Sequence, residues 1–127
     1  MSYNFLVIDD SKTARLMLAK SINLSGLPIG EVHMAENGRE ALDLLRNNWI
    51  DMVLTDINMP DMNGMELVRI MAQEGLLQTV PVVVVSTEGS DIRIGELRDQ
   101  GIRDYLRKPV RAEHIRDVVE QILGNGE

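Results

Sequence analysis

The stretch Phe5-Leu6-Val7-Ile8-Asp9-Asp10-Ser11 runs from four apolar residues straight into two carboxylates. A second stretch, Met52-Val53-Leu54-Thr55-Asp56, ends the same way. Read as neighbouring buried strands, the two bring three carboxylates to one edge of one sheet. Like charges crowded together penalise each other's ionised form unless a cation is present. A cluster of this kind points to a divalent metal site.

Working outward, three further apolar runs complete a set of five. The strands are expected at about Asn4–Ile8, Glu31–Ala35, Met52–Thr55, Val82–Ser86 and Asp104–Leu106. The second is the faintest, because His33 interrupts Val32, Met34 and Ala35. Val82 to Val85 is four valines in succession, a composition that favours strand over helix. The runs alternate only partly, which suits strands buried on both faces.

Each run is followed by a helix-length amphipathic stretch. Ser11 can cap a helix reaching about Leu24, Asn37-Gly38 precedes a helix carrying Ala41, Leu42, Leu44 and Leu45, and Asn63 can cap a helix from Gly64 to about Glu74. Ser90 or Asp91 opens a fourth helix ending near Gly101. In the last helix Ile115, Val118, Val119, Ile122 and Leu123 repeat at helical spacing before Gly124. The fourth helix is poor in apolar residues and holds Gly95 mid-span, which makes it the expected least stable of the five. A repeated strand–helix unit implies an α/β fold, a doubly wound parallel five-stranded sheet with right-handed crossovers. Ligands in such sheets sit at the carboxyl ends of the strands, where Asp9, Asp10, Asp56, Ser86 and Lys108 fall.

The 127 residues suit one domain, expected over 1–124 with a short polar tail at 125–127. The absence of cysteine excludes a disulfide scaffold, a cysteine-ligated zinc site and a thiol nucleophile. A formal net charge of −7 with no basic stripe argues against direct nucleic-acid binding. The longest uncharged stretch containing the fourth run, interrupted by Gln78, Thr79 and Pro81, is too short for a membrane span. No signal segment is legible, so a cytoplasmic protein is expected. The methionines read as core filler, Trp49 as an anchor at the end of the second helix, and His33 and His114 as residues without a functional role.

An oxygen-only donor set suits a hard cation, magnesium first and manganese as the alternative. Zinc has no histidine or cysteine to bind here. Lys108 supplies a compact positive charge, Ser86 a hydroxyl donor, and Asp56 a carboxylate able to act as nucleophile. Together they compose a phosphoryl-transfer site, where positioning and charge neutralisation do most of the catalysis.

Five separated motifs now resemble one family. Val7-Ile8-Asp9-Asp10-Ser11, Asp56-Ile57-Asn58-Met59-Pro60-Asp61-Met62-Asn63-Gly64, Val84-Val85-Ser86-Thr87, Tyr105 and Lys108-Pro109 are similar to the receiver domain of two-component response regulators. The resemblance spans essentially the whole chain. It implies strand order 2-1-3-4-5, Asp56 as phosphoacceptor, Asp10 as a direct metal ligand with Asp9 beside it, and the backbone carbonyl of Asn58 as a further ligand. Lys108 would pair with the phosphoryl group, Ser86 and Tyr105 would switch, and Asn58 with Glu88 would tune dephosphorylation. A cis Lys108–Pro109 bond is expected too. Ser86 stands where threonine is also common, and Val110 where an aromatic is frequent. The implied partners are a sensor histidine kinase or phosphotransfer protein and a downstream protein target, with the chain a monomer or weak dimer. Met1 and the polar ending read as a stand-alone, chemotaxis-like receiver, the alternative being a receiver fragment of a longer regulator.

Plainer readings compete. Asp9 and Asp10 could cap the helix after Ser11, Asp56 could be a turn residue, and Lys108 a solvated loop charge. A magnesium-dependent phosphohydrolase would also use an aspartyl nucleophile, yet it usually needs a second aspartate where Asn58 stands. An adaptor keeping only the fold has no use for the acidic set.

Overall fold

A computed structural model describes residues 2–57, 59, 62–87 and 91–124. Five strands alternate with five helices: β1 Tyr3–Ile8, α1 Lys12–Asn23, β2 Ile29–Ala35, α2 Gly38–Asn47, β3 Met52–Thr55, α3 Gly64–Gln73, β4 Val82–Ser86, α4 Asp91–Gln100, β5 Asp104–Arg107 and α5 Ala112–Ile122. A 3-10 turn, Leu76–Gln78, follows α3. The sheet is parallel throughout in the order β2-β1-β3-β4-β5. Both the fold class and the strand order expected from the sequence are found.

The two-residue period of the strands sorts the core into two layers. Phe5, Val7, Met52, Leu54, Val83 and Val85 pack with Leu18 and Ile22 of α1 and Ile115, Val118 and Val119 of α5. Leu6, Ile8, Val53, Val82 and Val84 face the other way, onto α2, α3 and Leu97 of α4. Because both faces are covered, β1, β3 and β4 read as continuous apolar runs. Each fully buried Val, Leu or Phe contributes about 1.5–3 kcal/mol relative to exposure.

The caps expected at Ser11 and Asn63 form, and Asn37, read only as preceding its helix, caps α2 as well. The side chains of Ser11, Asn37 and Asn63 accept from the N–H groups of Ala14, Glu40 and Glu66. Ser90 lies outside the described residues, and α4 begins at Asp91. The Lys108–Pro109 bond is cis.

Some expectations need correction. β2 starts at Ile29, two residues before the expected Glu31, and runs through Gly30. The side chain of Asn4 occupies the space a Cβ at Gly30 would take and accepts the N–H of Glu31. β5 extends to Arg107 because that residue pairs with Ser86. Trp49 is no anchor: it is 77% exposed, its indole N–H donates to Asp51, and Ile50 takes the buried place instead. Met52, Met59 and Met71 fill the core, but Met17 and Met34 are exposed. Among the described residues, no helix is long and apolar enough to cross a membrane.

Candidate functional site

The parallel register brings the strand ends together. Ile8 pairs with Thr55, so the next residues, Asp9 and Asp56, leave the sheet side by side. Backbone bonds fix both: Asp56 N–H donates to the Ile8 carbonyl at 2.9 Å, and Asp9 N–H to the Ala35 carbonyl at 3.1 Å. Thr55 pairs with Val84, so Ser86 lies one position farther along the neighbouring strand than Asp56. The carboxylates of Asp9, Asp10 and Asp56 offer oxygens within 4.8 Å of one another.

Each carboxylate is differently placed. Asp9 is buried; its Oδ1 accepts the Ser11 N–H at 2.9 Å, and its Oδ2 accepts from Lys108 Nζ at 2.6 Å. Asp56 is partly buried; its Oδ1 accepts the Ile57 N–H at 2.6 Å, and its Oδ2 accepts from the same Lys108 at 3.1 Å. Asp10 is exposed. Burial alone would push the Lys108 ammonium down, but the hydrogen bonds to Asp9 and Asp56 outweigh it, and its pKa lies above the usual lysine value. Lys108 therefore stays charged and bridges two residues separated from it by 99 and 52 positions. Three carboxylates against this one ammonium leave an excess of negative charge, which a divalent cation would neutralise. The donors are all oxygens, so a hard cation fits them and a soft one does not.

Ser86 is buried at 1% exposure at the end of β4. Its carbonyl accepts the backbone N–H of Lys108 at 3.1 Å and the hydroxyl of Tyr105 at 3.4 Å. One peptide group thus ties the lysine, the serine and the tyrosine together. Tyr105 is half-buried and packs against the core layer shared with α4. The sequence-predicted Asn58 and Glu88 lie outside the described residues, as do Pro60 and Asp61.

Two residues at the site escaped the sequence reading. Arg15 donates from Nη1 to the Asp9 carbonyl at 2.7 Å, fixing the backbone that carries Asp9. Its place one turn into the helix capped by Ser11 was the available signal. Gly64 is the other. A Cβ there would lie 2.5 Å from the Asp56 carbonyl oxygen and 2.9 Å from Ile57 Cα, so α3 approaches the backbone at Asp56 as only glycine allows. The Gly64 N–H donates to the Ile57 carbonyl at 2.8 Å. Composition alone does not mark a close approach of this kind.

Known proteins share this arrangement of sequence. Residues 5–120 match the family described as the response regulator receiver domain. The chain is 36% identical over 122 residues to a chemotaxis protein CheY homolog of Campylobacter jejuni, covering 95% of this chain and 92% of that one. It is 33% identical over 123 residues to chemotaxis protein CheY1 of Helicobacter pylori, covering 96% and 98%. The structure of chemotaxis protein CheY4 of Vibrio cholerae superposes with a TM-score of 0.85 at 28% identity, covering 97% of this chain and all of that one.

Proposed function

We propose a function from the premise these likenesses supply: this chain belongs to the family of response regulator receiver domains. The proposed function is a phosphorylation-operated signalling switch. Asp56 takes a phosphoryl group from a phosphohistidine on a sensor kinase or phosphotransfer protein. An Asp56 oxygen attacks phosphorus, a P–O bond forms, the P–N bond breaks, and the imidazole leaves with the bonding pair. The observation that carries this reading is Lys108 Nζ, held by both Asp9 and Asp56 inside a three-carboxylate cluster.

Asp9, Asp10 and Asp56 would hold magnesium, with manganese as a substitute and the Asn58 carbonyl as a further ligand. When bound, the ion offsets charge on the carboxylates and on the transferring phosphoryl oxygens. Lys108 steadies the Asp56 carboxylate before transfer and the phosphoryl group after it. The new group carries about −1.5 to −2 charge and strong acceptor oxygens. It draws on Lys108 and on the Ser86 hydroxyl. The Ser86 carbonyl also binds Tyr105, which supports a relay from that hydroxyl to Tyr105 and onward to the surface of α4, β5 and α5. That surface would then engage a downstream protein target.

In this reading the domain, residues 1–124, catalyses its own phosphorylation and its slow hydrolysis, with Asn58 and Glu88 tuning the second. It turns over no outside substrate, and it works in the cytoplasm. The test is incubation with a small acyl phosphate and magnesium, followed by intact-mass measurement. One phosphoryl group is expected on the wild type and none when magnesium is chelated. Uptake that ignores chelation, or no uptake at all, would sink the assignment.

A further inference from the structure

Trp49, at 77%, is the most exposed large apolar side chain among the described residues. A tryptophan left so far in solvent is unusual, since this residue type is highly buried on average. The ring is nevertheless held. Its Nε1 donates to Asp51 Oδ1 at 2.9 Å, and Asp51 Oδ2 accepts the N–H of Asn4 at 2.7 Å. Asn4 belongs to β1, so two hydrogen bonds tie the indole to the sheet. An exposed ring already fixed in place spares a partner part of the ordering cost of binding. Tryptophan is also enriched among the residues that dominate interface energies.

This corner is separate from the acidic site. Asp51 precedes β3 and Asp56 follows it, so about 13 Å of strand lies between them.

Charge selects the occupant. Asp51 has no lysine or arginine partner among the described residues. Each of its oxygens has accepted one donor and keeps a further lone pair. α2 ends at Asn47, two residues before Trp49, and brings the negative end of its dipole to the same corner. Arg46, the cation of that last turn, is taken by Glu74 at 2.5 Å. An open aromatic face beside a carboxylate without a cation and a helix C-terminus suits a positive group. Arginine suits it better than lysine: the guanidinium is planar, stacks on an indole and is more weakly hydrated than an ammonium. A second copy of this chain is a poor occupant, because each copy carries a formal net charge of −7.

We infer that Trp49 and Asp51 form a docking point for a segment of another protein that presents an arginine. The guanidinium stacks on the indole and donates to Asp51. Docking there needs no phosphoryl group, so it holds a partner in either state of Asp56.

Trp49 is the one tryptophan of the chain, so its fluorescence reads this site alone. The experiment titrates the end-blocked peptide Gly-Arg-Gly-Arg-Gly at low salt, with excess magnesium competing at the acidic site. Saturable quenching is expected, with a dissociation constant on the order of 1 mM. The lysine counterpart should bind about threefold or more weakly, and the glutamate counterpart not at all. Asp51→Asn keeps an acceptor for the indole and loses the charge, and should weaken binding about threefold to fivefold. In Trp49→Ala the saturable NMR shift of the Asn4 amide, which reports on Asp51, should disappear. Asp56→Asn should bind like the wild type, which separates this inference from the phosphoacceptor reading. Quenching that stays linear, wild-type affinity in Asp51→Asn, lost affinity in Asp56→Asn, or a leucine counterpart that binds as tightly would overturn the site. So would Trp49 fluorescence that changes with protein concentration alone, which would assign this face to a second copy.

Discussion

Substituting alanine for glycine at two helical positions should move stability in opposite directions. Gly64 is the first residue of α3 and Gly95 is the middle of α4. Helix propensity alone favours alanine at either, by up to about 1 kcal/mol in a helix interior. At Gly95 nothing lies within 4 Å of the added Cβ, so the propensity gain of about 0.5–1 kcal/mol should be realised. At Gly64 the Cβ meets backbone at 2.5 and 2.9 Å, both under the 3.0 Å that real Cβ atoms keep. The obstacle is main chain, fixed by the Asp56–Ile8 and Gly64–Ile57 hydrogen bonds, so no side chain can swing away. Relief requires α3 to move outward by at least 0.5 Å, the difference between 3.0 and 2.5 Å. Overpacking of this kind costs about 1–3 kcal/mol, more than the propensity gain. Urea unfolding followed by far-UV circular dichroism measures both variants against the wild type. Gly64→Ala should lose about 1–3 kcal/mol and Gly95→Ala should gain. A Gly64→Ala protein as stable as the wild type would refute the close-approach reasoning, as would a loss at Gly95 of the same size.

Lys108→Met removes the cation bridging Asp9 and Asp56, so magnesium affinity should rise about tenfold; calorimetric titration showing weaker binding would contradict the electrostatics of the cluster. The same variant tests a pH effect. The folded-state pKa of Lys108 is raised, so its contribution is complete below the unfolded value of about 10.4 and is lost as pH climbs through the folded value. The stability gap between wild type and Lys108→Met, measured by denaturant unfolding, should therefore be constant below about pH 10 and narrow above it. Leu97→Ala should cost about 2–5 kcal/mol in the same assay, since Leu97 is fully buried where α4 meets the core. Trp49→Ala, by contrast, should stay within about 0.5 kcal/mol because the indole is mostly in solvent.

The strands most easily read from sequence were those buried on both faces. Val82–Ser86 and Met52–Thr55 keep their expected bounds because no solvent face dilutes the apolar run. β2 was read short because its run of apolar residues begins only at Val32 and is interrupted by His33, whereas pairing of Ile29 with Tyr3 carries the strand back through Gly30, where the Asn4 side chain takes the space of a Cβ. Trp49 was misplaced because size suggested burial, while a hydrogen bond to Asp51 holds it outside. At the site, Asp9, Asp56 and Lys108 were legible as charged residues just past apolar runs. Their convergence is a property of register, which the motif order carried. Arg15 and Gly64 act on backbone atoms, the first by donating to a carbonyl and the second by having no Cβ to obstruct one. The place of Arg15 one turn into the capped helix hinted at the first effect; the second leaves no pattern in residue types along the chain.

The most direct measurement locates the phosphoryl group itself. Protein treated with an acyl phosphate and magnesium is reduced with borohydride, which converts an aspartyl phosphate to homoserine, and the digested peptides are sequenced by mass. Homoserine at position 56, and unmodified aspartate at 9 and 10, is the expected result. Modification at Asp9 or Asp10, or undiminished labelling in Asp56→Asn, would contradict the proposed division of labour, in which Asp9 and Asp10 hold the metal and Asp56 accepts the phosphoryl group.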